Sequence, residues 1–569
     1  PAKVYILADR AVCAYLAAAT GAGPCVRDAA RYDTFGSPVL TDSAQESRSK
    51  NKKRAAAIEG IHPPPPPKRM QMTYIVVVVG YVLTLLGISV YKSRSVKSAE
   101  DFMVAGRSVP VYMLVATLVC TWIGSGSLFG TAGLTFRTGL SELWFSAGAW
   151  VGILVIYMIA ARVRRIAQYT LTDLLEKRYN QLAKVLGTIT IIIAYMVIAG
   201  YQFKGGGRFI AILSDGSISL ETGMIIAAFL IVGFTVLAGM VSIVSIDIFN
   251  GSIMLVAMVL TLPFAISGHG GLDAVITTIQ QTQPTHLSLM GGHDFVWVVG
   301  IALPTFLLLM SESSMYQKFS SADNEANARK AVMGMFVGVV VVETLMMLIA
   351  LVGFAIYADD PRFFLADGSI NRAMAEEIIL RIGFEQLPVV IGSLLLAAGA
   401  AIVISTGNTF LMVTSTNVTR DIFQAFFYKN ATASQILWIQ RACIVGIGLL
   451  AYLMMSQFDT ILEMALMSYT MIGASLAPPL LAAFFWKRVT CAGGVASIAS
   501  GMLTVVIIAV LNSVYKGSAE GINVLGVSFP MDTDYIAIPA VIVSVTTLVV
   551  VSLLTAKPQQ SDWEEFIEA

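Results

Sequence analysis

The sequence predicts an all-α polytopic membrane protein of about thirteen transmembrane helices. Of the 569 residues, 56% are hydrophobic and 13% are charged, and so little charge cannot cover the surface of a soluble protein of this length. The apolar residues form separate runs of about 20, the length that crosses the hydrocarbon core as a helix. Each run is continuously apolar rather than alternating, which disfavours a transmembrane β-barrel.

The apolar runs define one transmembrane domain, residues 72–556, followed by a cytoplasmic C-terminal tail, residues 557–569. Spans are predicted at approximately 73–91, 109–134, 141–161, 184–212, 222–239, 246–267, 295–316, 332–357, 387–415, 434–455, 460–484, 491–512 and 535–555. Lysine and arginine are more frequent in the loops on one side. That bias predicts an external N-terminus and a cytoplasmic C-terminus in the cell (inner) membrane.

Residues 1–71 differ in composition from the rest. They hold a basic cluster around Lys52 and Arg54 and five consecutive prolines, Pro63–Pro67, without sustained apolar periodicity. Such a segment is predicted to be disordered. Because its positive charge conflicts with an external N-terminus, we favour an artefactual extension over a functional tail.

Composition also disfavours several classes of function. A formal net charge of +1 predicts no nucleic-acid partner. The five cysteines contain no CxxC pair, and the four histidines fall in loops or in the N-terminal segment. Neither a disulfide framework nor a zinc site is therefore expected, and a buried histidine-based metal enzyme is disfavoured. We predict no cofactor and no enzymatic activity, since no nucleophile in the spans has an evident base.

The second span contains a helix-breaking segment, Gly124-Ser125-Gly126. Glycine weakens a helix by about 1 kcal/mol per residue, and where a helix breaks in lipid its freed carbonyls must find partners. A bound cation is one such partner, and transporters place broken helices around a midplane site. Close helix packing through small residues is the alternative explanation.

The ninth span contains two adjacent hydroxyls, Ser405 and Thr406, with a backbone carbonyl one turn earlier. Hydroxyl and carbonyl oxygens suit sodium, which is a hard cation. Alternatively, these hydroxyls bond back to the preceding turn of their own helix.

Polar residues in the second and seventh spans are candidates for binding a solute. Trp122 lies beside the helix break and can stack on a cation, although aromatic residues in spans more often serve packing. Glu312, between Ser311 and Ser313, is costly if it faces lipid. It therefore faces a cavity or is hydrated near the inner end. Together with Ser125, these residues form the predicted solute site.

Other charged residues leave two interpretations open. Asp247 stands where a short inner turn enters the sixth span; it is either a carboxylate favoured by the dipole at a helix start or part of an ion path. Glu343 and Glu463 pose the same question as Glu312. Lys204 and Arg208 are expected to snorkel to the outer interface, or to line an entrance for the solute.

Several stretches, in the expected order, resemble the sodium:solute symporter family, which includes carriers of sugars, proline, sialic acid and pantothenate. The resemblance covers about residues 73–555. It rests on Glu100–Arg107, Thr170–Tyr179, Ala238–Ser242 followed by Asp247, Gln317-Lys318 with Ala328–Lys330, and Phe485–Arg488 followed by Gly493-Gly494. Each stretch is weak by itself, whereas their order along the spans is specific.

The resemblance implies a leucine-transporter-like fold, with a 5+5 inverted repeat that pairs spans two to six with spans seven to eleven. It also implies a sodium site formed by the carbonyls of Cys120, Ile123 and Ile402 and the hydroxyls of Ser405 and Thr406. This agrees with the helix break and the hydroxyl pair read from the residues themselves.

One stretch departs from the family pattern. The turn before the sixth span reads Ala238-Gly239 where the family has two glycines, and Ser245-Ile246 precedes Asp247 where the family has tryptophan and threonine. The resemblance therefore carries an ion-path role over to Asp247 less directly than it carries the sodium site.

The sequence thus predicts a secondary active transporter that couples sodium influx to uptake of a small polar solute by alternating access. The solute class stays open between an amine, a zwitterion, a sugar and a carboxylate. The stretch Thr121–Ala132 is similar to the choline carriers of the family, and Trp122 with Glu312 suits an amine or a zwitterion. The alternatives are a channel on the same fold or a transporter-like sensor, which would carry an appended signalling domain.

Overall fold

The computed structural model describes residues 68–94, 109–166, 170–455, 458–514, 522–524, 527–529 and 533–567. Within these ranges the regular structure is helical apart from one short hairpin, as the predicted all-α class requires. Cys13, Cys25, His62, most of the N-terminal segment and the stretch Glu100–Arg107 lie outside the described residues.

The helices follow one another along the chain and are numbered here in order. The first ten are α1 Lys68–Ser93, α2 Val111–Trp122, α3 Ala132–Thr138, α4 Leu143–Ile166, α5 Leu171–Arg178, α6 Gln181–Leu213, α7 Leu220–Gly268, α8 Leu272–Thr282, α9 Phe295–Ser311 and α10 Ser313–Ser320. The others are α11 Glu325–Ile356, α12 Arg372–Ala375, α13 Ile378–Arg381, α14 Val389–Asn417, α15 Ala433–Met454, α16 Ile461–Phe485, α17 Cys491–Val514, α18 Ala537–Leu554 and α19 Glu564–Ile567. Strands β1 Ile522–Val524 and β2 Val527–Phe529 pair antiparallel.

Twelve helical segments of the described chain are long and apolar enough to cross a membrane. The shorter apolar helix α2 precedes one of them, the segment Gly126–Ile166. These segments confirm a polytopic all-α membrane protein. The number of thirteen spans stays a prediction, because the segment Gly126–Ile166 runs through parts of two predicted spans. The 5+5 inverted repeat also stays a prediction.

Burial separates central helices from peripheral ones. The most apolar window is 89% buried in Ile461–Phe485 and 83% buried in Val389–Phe427, but only 22% buried in Gln71–Lys92. The helix α1 exposes apolar side chains such as Val76 and Leu83. Apolar side chains exposed along a span find a matching environment in lipid tails. Helices α14 and α16 thus form the interior, and α1 faces the bilayer.

Two helices are interrupted in mid-course. Helix α2 ends at Trp122, and Ile123 has extended backbone angles (φ −77°, ψ 93°) before the chain resumes as a π-helical stretch, Gly126–Thr131. Helix α9 ends at Ser311, and Glu312 is likewise extended (φ −70°, ψ 98°) before α10 begins. The residue pattern predicts the first break. The second is implied by the family resemblance, in which Gln317-Lys318 with Ala328–Lys330 matches the end of the second broken helix.

Helix α7 bends sharply at Gly239. Its φ of 65° is a left-handed value that glycine adopts without steric cost. The second half of α7 starts at this bend, so Asp247 lies about two turns inside the helix and is fully buried. The interpretation of Asp247 as a helix-start carboxylate is therefore wrong.

Lys204 and Arg208 do not snorkel as expected. Arg208 forms an ion pair with Glu376, with both side chains buried. The Lys204 ammonium donates to the carbonyls of Phe458 (2.6 Å) and Asp459 (2.8 Å). Both cations are thus satisfied by protein groups, as burial of a charge requires.

Glu376 also closes the start of α16. Its carboxylate accepts hydrogen bonds from the backbone N–H groups of Ile461 (3.0 Å) and Leu462 (2.8 Å). The first N–H groups of a helix have no partner inside the helix, so Glu376 satisfies two of them while it neutralises Arg208.

His286 corrects the expectation that no histidine is buried. It lies in the short 3₁₀ turn Pro284–Leu287, as predicted for a loop residue, yet it is only 1% exposed. Its Nε2 lies 3.0 Å from the Phe136 carbonyl and its ring stacks on Phe354. No group of three or more His, Cys, Asp or Glu side chains that could hold a metal occurs among the described residues.

The buried ion pair yields a stability prediction. Glu376→Gln keeps a side-chain acceptor for α16 but leaves the Arg208 charge buried and unpaired, which should lower the free energy of unfolding by about 3 kcal/mol. Glu325→Gln, at the exposed Arg165–Glu325 pair, is the matched control and should change little. Thermal unfolding of the purified protein in detergent measures both, and equal midpoints for the two variants would contradict this prediction.

Candidate ion and solute site

The break in α2 is held against α14 by one hydroxyl. Thr406 Oγ1 lies 3.0 Å from the Cys120 carbonyl and 3.2 Å from the Ile123 carbonyl. The backbone N–H of Ser125, freed by the same break, donates to Gln202 Oε1 at 3.0 Å. Side chains of α14 and α6 thus satisfy backbone groups that an unbroken helix would satisfy itself.

Gly124 makes this close approach possible. A Cβ at this position would lie 2.7 Å from Thr406 Cγ2 and 3.1 Å from Gln202 Nε2. Any larger residue would therefore push the break away from the two side chains that satisfy it. Glycine is required here by space as well as by its tendency to end a helix.

Ser405, the neighbour of Thr406 on α14, contacts the carboxylate of Asp247 on α7. Its hydroxyl donates to Asp247 Oδ1, and Thr117 Oγ1 donates to Asp247 Oδ2 at 2.5 Å. A hydroxyl that gives its proton to a carboxylate leaves its lone pairs directed elsewhere. Thr406 thus contacts the Cys120–Ile123 break and its neighbour Ser405 contacts Asp247, while Ile402 lies one turn earlier on α14 and is buried.

A fully buried ammonium lies next to this cluster. Lys318, on α10, donates to the Thr117 carbonyl at 3.0 Å and to the Thr121 hydroxyl. Through Thr117 it is linked to the Asp247 carboxylate. A buried charge of this kind persists only where polar groups and an opposite charge surround it.

A small cavity of about 10 Å³, room for about one water molecule, lies between the two helix breaks. Its lining residues come from six helices and the break at Glu312 and are Thr121, Trp122, Tyr201, Leu308, Glu312, Met315, Thr406, Phe410 and Tyr469. Four of the nine are aromatic and one is a carboxylate. Because Thr406 also belongs to the oxygen cluster, a solute in this cavity would be a direct neighbour of an ion there.

Glu312 faces the cavity rather than lying hydrated at the inner end. It is 1% exposed, accepts a hydrogen bond from the Tyr195 hydroxyl through Oε1, and caps α10 by accepting from the Ser314 N–H at 3.2 Å. Its other oxygen, Oε2, has no hydrogen-bond partner among the described residues. A buried carboxylate oxygen without a partner is unfavourable unless a ligand completes its environment.

The predicted solute residues are only partly assembled around the cavity. Trp122 and Glu312 line it, whereas Ser125, Ser311 and Ser313 are buried beside it and are absent from its lining. Ser311 bonds back to the Leu307 carbonyl at 3.0 Å, which is the common behaviour of serine in a helix.

Sequence reasoning missed the other aromatic walls and the buried lysine. Tyr201, Phe410 and Tyr469 sit in long apolar helices, where a single sequence gives no sign of which face turns inward. Lys318 was noted only as part of a family stretch, yet a lysine directly after an apolar span was a signal in itself, because such a residue must find internal partners. Glu463 lies in the first turn of α16 and is partly exposed.

Comparisons with known proteins identify the family of this chain. The model of the sodium:solute symporter family matches residues 102–501. A sodium/proline symporter of Staphylococcus aureus is 26% identical over 503 residues, covering 85% of this chain and 93% of the relative. Sodium/proline symporter 2 of Staphylococcus saprophyticus is 24% identical over 507 residues with the same coverages, and the Escherichia coli sodium/proline symporter is 24% identical, covering 75% and 86%.

Solved structures support the fold. A Na⁺-coupled sialic acid symporter in a substrate-bound outward-open state superposes with a TM-score of 0.69 at 15% identity, covering 86% of this chain and 99% of that one. A nucleobase-cation-symport-1 family transporter in a closed conformation gives a TM-score of 0.51 at 11% identity, covering 82% and 97%. These likenesses confirm the predicted leucine-transporter-like fold class.

Gly124→Ala should displace the break from Thr406 and Gln202 and leave buried backbone groups without partners, at a cost of about 1–3 kcal/mol. Gly233→Ala, in α7, is the matched control because a Cβ there meets no atom within 4 Å, and alanine favours the helix. Thermal unfolding in detergent compares the two. A Gly124→Ala protein as stable as the control would mean that the break is not held in this way.

Proposed function

Because this chain belongs to the sodium:solute symporter family, whose members are carriers and not enzymes, we propose that it takes up a small ammonium-bearing solute by alternating access. Sodium-coupled transport across a membrane is the family's activity. The solute class, the ion-binding residues and the transport cycle are the finer proposals.

The sodium site is proposed at the carbonyls of Cys120, Ile123 and Ile402 and the hydroxyls of Ser405 and Thr406. The contacts of Thr406 with two carbonyls of the broken helix carry this proposal. All five donors are neutral oxygens, the type that suits sodium. Asp247, which accepts from Ser405, supplies a nearby negative charge and is proposed to lie on the ion path.

The solute is proposed to carry an ammonium group. The cavity combines one carboxylate with a free oxygen, Glu312, and the aromatic rings of Trp122, Tyr201, Phe410 and Tyr469. Aromatic faces attract cations, by about 2 kcal/mol or more where water is excluded. Amines and zwitterions satisfy both features, and proline, the solute in the names of the relatives above, belongs to this class.

In the proposed cycle, sodium stabilises the outward-open state and the solute binds beside it. Rocking of the two helix repeats then opens the site to the cytoplasm, with α1 beginning outside and the C-terminus inside. A potential of 100 mV supplies about 2.3 kcal/mol per charge, which supports roughly 50-fold accumulation per sodium ion. The same scheme distinguishes a carrier from a channel, which cannot move a solute against its own gradient.

Replacing Ser405 or Thr406 with alanine should raise the sodium concentration needed for half-maximal uptake. The expected factor is roughly tenfold, equivalent to about 1.4 kcal/mol of lost coordination. Thr414→Ala is the control, because that hydroxyl bonds only to the Phe410 carbonyl of its own helix. Uptake by reconstituted vesicles at varied sodium measures the effect, and an unchanged sodium requirement would reject this site.

The solute class is tested by thermal stabilisation of the purified protein. L-proline, choline and glycine betaine are compared with glucose and N-acetylneuraminate, each in sodium and in potassium chloride. At least one ammonium-bearing solute should raise the unfolding temperature in sodium only, and Glu312→Gln should weaken its binding about tenfold. Stabilisation by glucose or N-acetylneuraminate alone would refute the proposed class.

A further inference from the structure

A second carboxylate lies behind the aromatic wall of the cavity without lining it. Glu343, in the middle of α11, is 2% exposed. It accepts hydrogen bonds from two indoles, Trp122 Nε1 at 2.7 Å and Trp150 Nε1 at 2.6 Å. The Glu343 side chain thereby joins α2, α4 and α11 next to Trp122, which lines the cavity.

The contact fixes the orientation of Trp122. An indole has a single hydrogen-bond donor, and here that donor points away from the cavity into Glu343. The ring of Tyr469 stacks near the indole of Trp122, with ring centroids 6.3 Å apart and an interplanar angle of 28°. Trp122 and Tyr469 both line the cavity, while the polar edge of the indole is occupied by Glu343.

The contact also has an electrostatic consequence. A carboxylate acceptor makes a charge-assisted hydrogen bond, and it adds negative charge behind a ring whose face is already electron-rich. In a buried site such a charge is only weakly screened. A cation in front of Trp122 is then favoured by the ring and by the carboxylate together.

The neighbouring groups do not explain why a carboxylate stands here. Glu142, also buried, accepts from Ser146 Oγ at 2.8 Å and supplies no positive charge. The Glu343 carboxylate is surrounded by neutral donors, the two indoles and the Ser146 hydroxyl that it shares with Glu142. A neutral amide would accept from an indole equally well, and burying a carboxylate with neutral partners is costly. The charge itself is thus the feature that requires a function.

From these contacts we infer that Glu343 is a positioning and specificity-determining residue: it orients Trp122 and makes the cavity prefer a cationic solute over a neutral one of the same shape. This inference rests on the proposed ammonium-bearing solute class. Glu343 acts through Trp122 and does not touch the solute.

The test compares the full-length wild type with Glu343→Gln, using two pairs of isosteric probes. L-proline is paired with cyclopentanecarboxylate, and choline with 3,3-dimethylbutan-1-ol. Affinities are measured by thermal stabilisation in sodium. For a pair whose ammonium member binds the wild type, Glu343→Gln should weaken that member about tenfold. It should not weaken the member that lacks the ammonium group, and it should leave the sodium affinity unchanged.

Two controls separate this role from support of the fold. Trp150→Phe removes one indole donor but keeps the Glu343–Trp122 bond, so the preference for the cation should persist within about twofold. Asp534→Asn removes the charge from the comparable Trp297–Asp534 contact of 3.1 Å away from the cavity and should leave the preference unchanged. In a Trp122→Phe background, Glu343→Gln should alter the ratio of the two affinities less than it does in the wild type.

Three outcomes overturn the inference. If Glu343→Gln lowers the affinity equally for probes with and without the ammonium group, Glu343 is a structural residue. If it changes neither affinity, Glu343 has no role in solute binding. If the wild type binds neither ammonium probe, the proposed solute class fails as well. That failure is recognised before any variant is compared, so the two proposals are told apart.

Discussion

An interrupted helix inside a membrane must satisfy its own freed backbone groups, and the structure is arranged around that requirement. At the first break, Thr406 reaches two carbonyls and Gln202 accepts a freed N–H. At the second, the side chain of Glu312 caps the helix that follows. The partners come from α14 and α6, so the same contacts that repair the breaks pack the central helices together. A cavity remains between the two breaks because neither helix can continue through it.

Much of the fold was accessible from the sequence because apolar length is a strong signal in a membrane protein. The broken second span and the hydroxyl pair at Ser405 and Thr406 were also accessible, since glycine and hydroxyl residues are conspicuous among apolar ones. The structure brings these two features into contact. The role of the hydroxyls as sodium ligands stays a prediction.

The cavity walls were less accessible, for a physical reason. Tyr201, Phe410 and Tyr469 lie in helices that are apolar on every side, and periodicity cannot indicate which face of such a helix turns inward. The helix-start interpretation of Asp247 failed because the turn was expected to reach this residue, whereas the chain turns at Gly239 and the second helical segment begins there, about two turns earlier. Lys204 and Arg208 were misread because a long cationic side chain finds either water or a buried partner, and its sequence neighbours do not tell which.

The bond between Thr406 and the broken helix is made by neutral groups alone. A hydroxyl and two carbonyls do not titrate in the physiological range, and ions in solution do not screen them as they screen exposed charges. A change of pH or ionic strength therefore has little effect on the contact between Thr406 and the broken helix. In the proposed sodium site, the cation takes the place of the Thr406 hydroxyl proton at the two carbonyl oxygens. Loss of the ion's water shell, rather than pH or ionic strength, then controls when this contact opens.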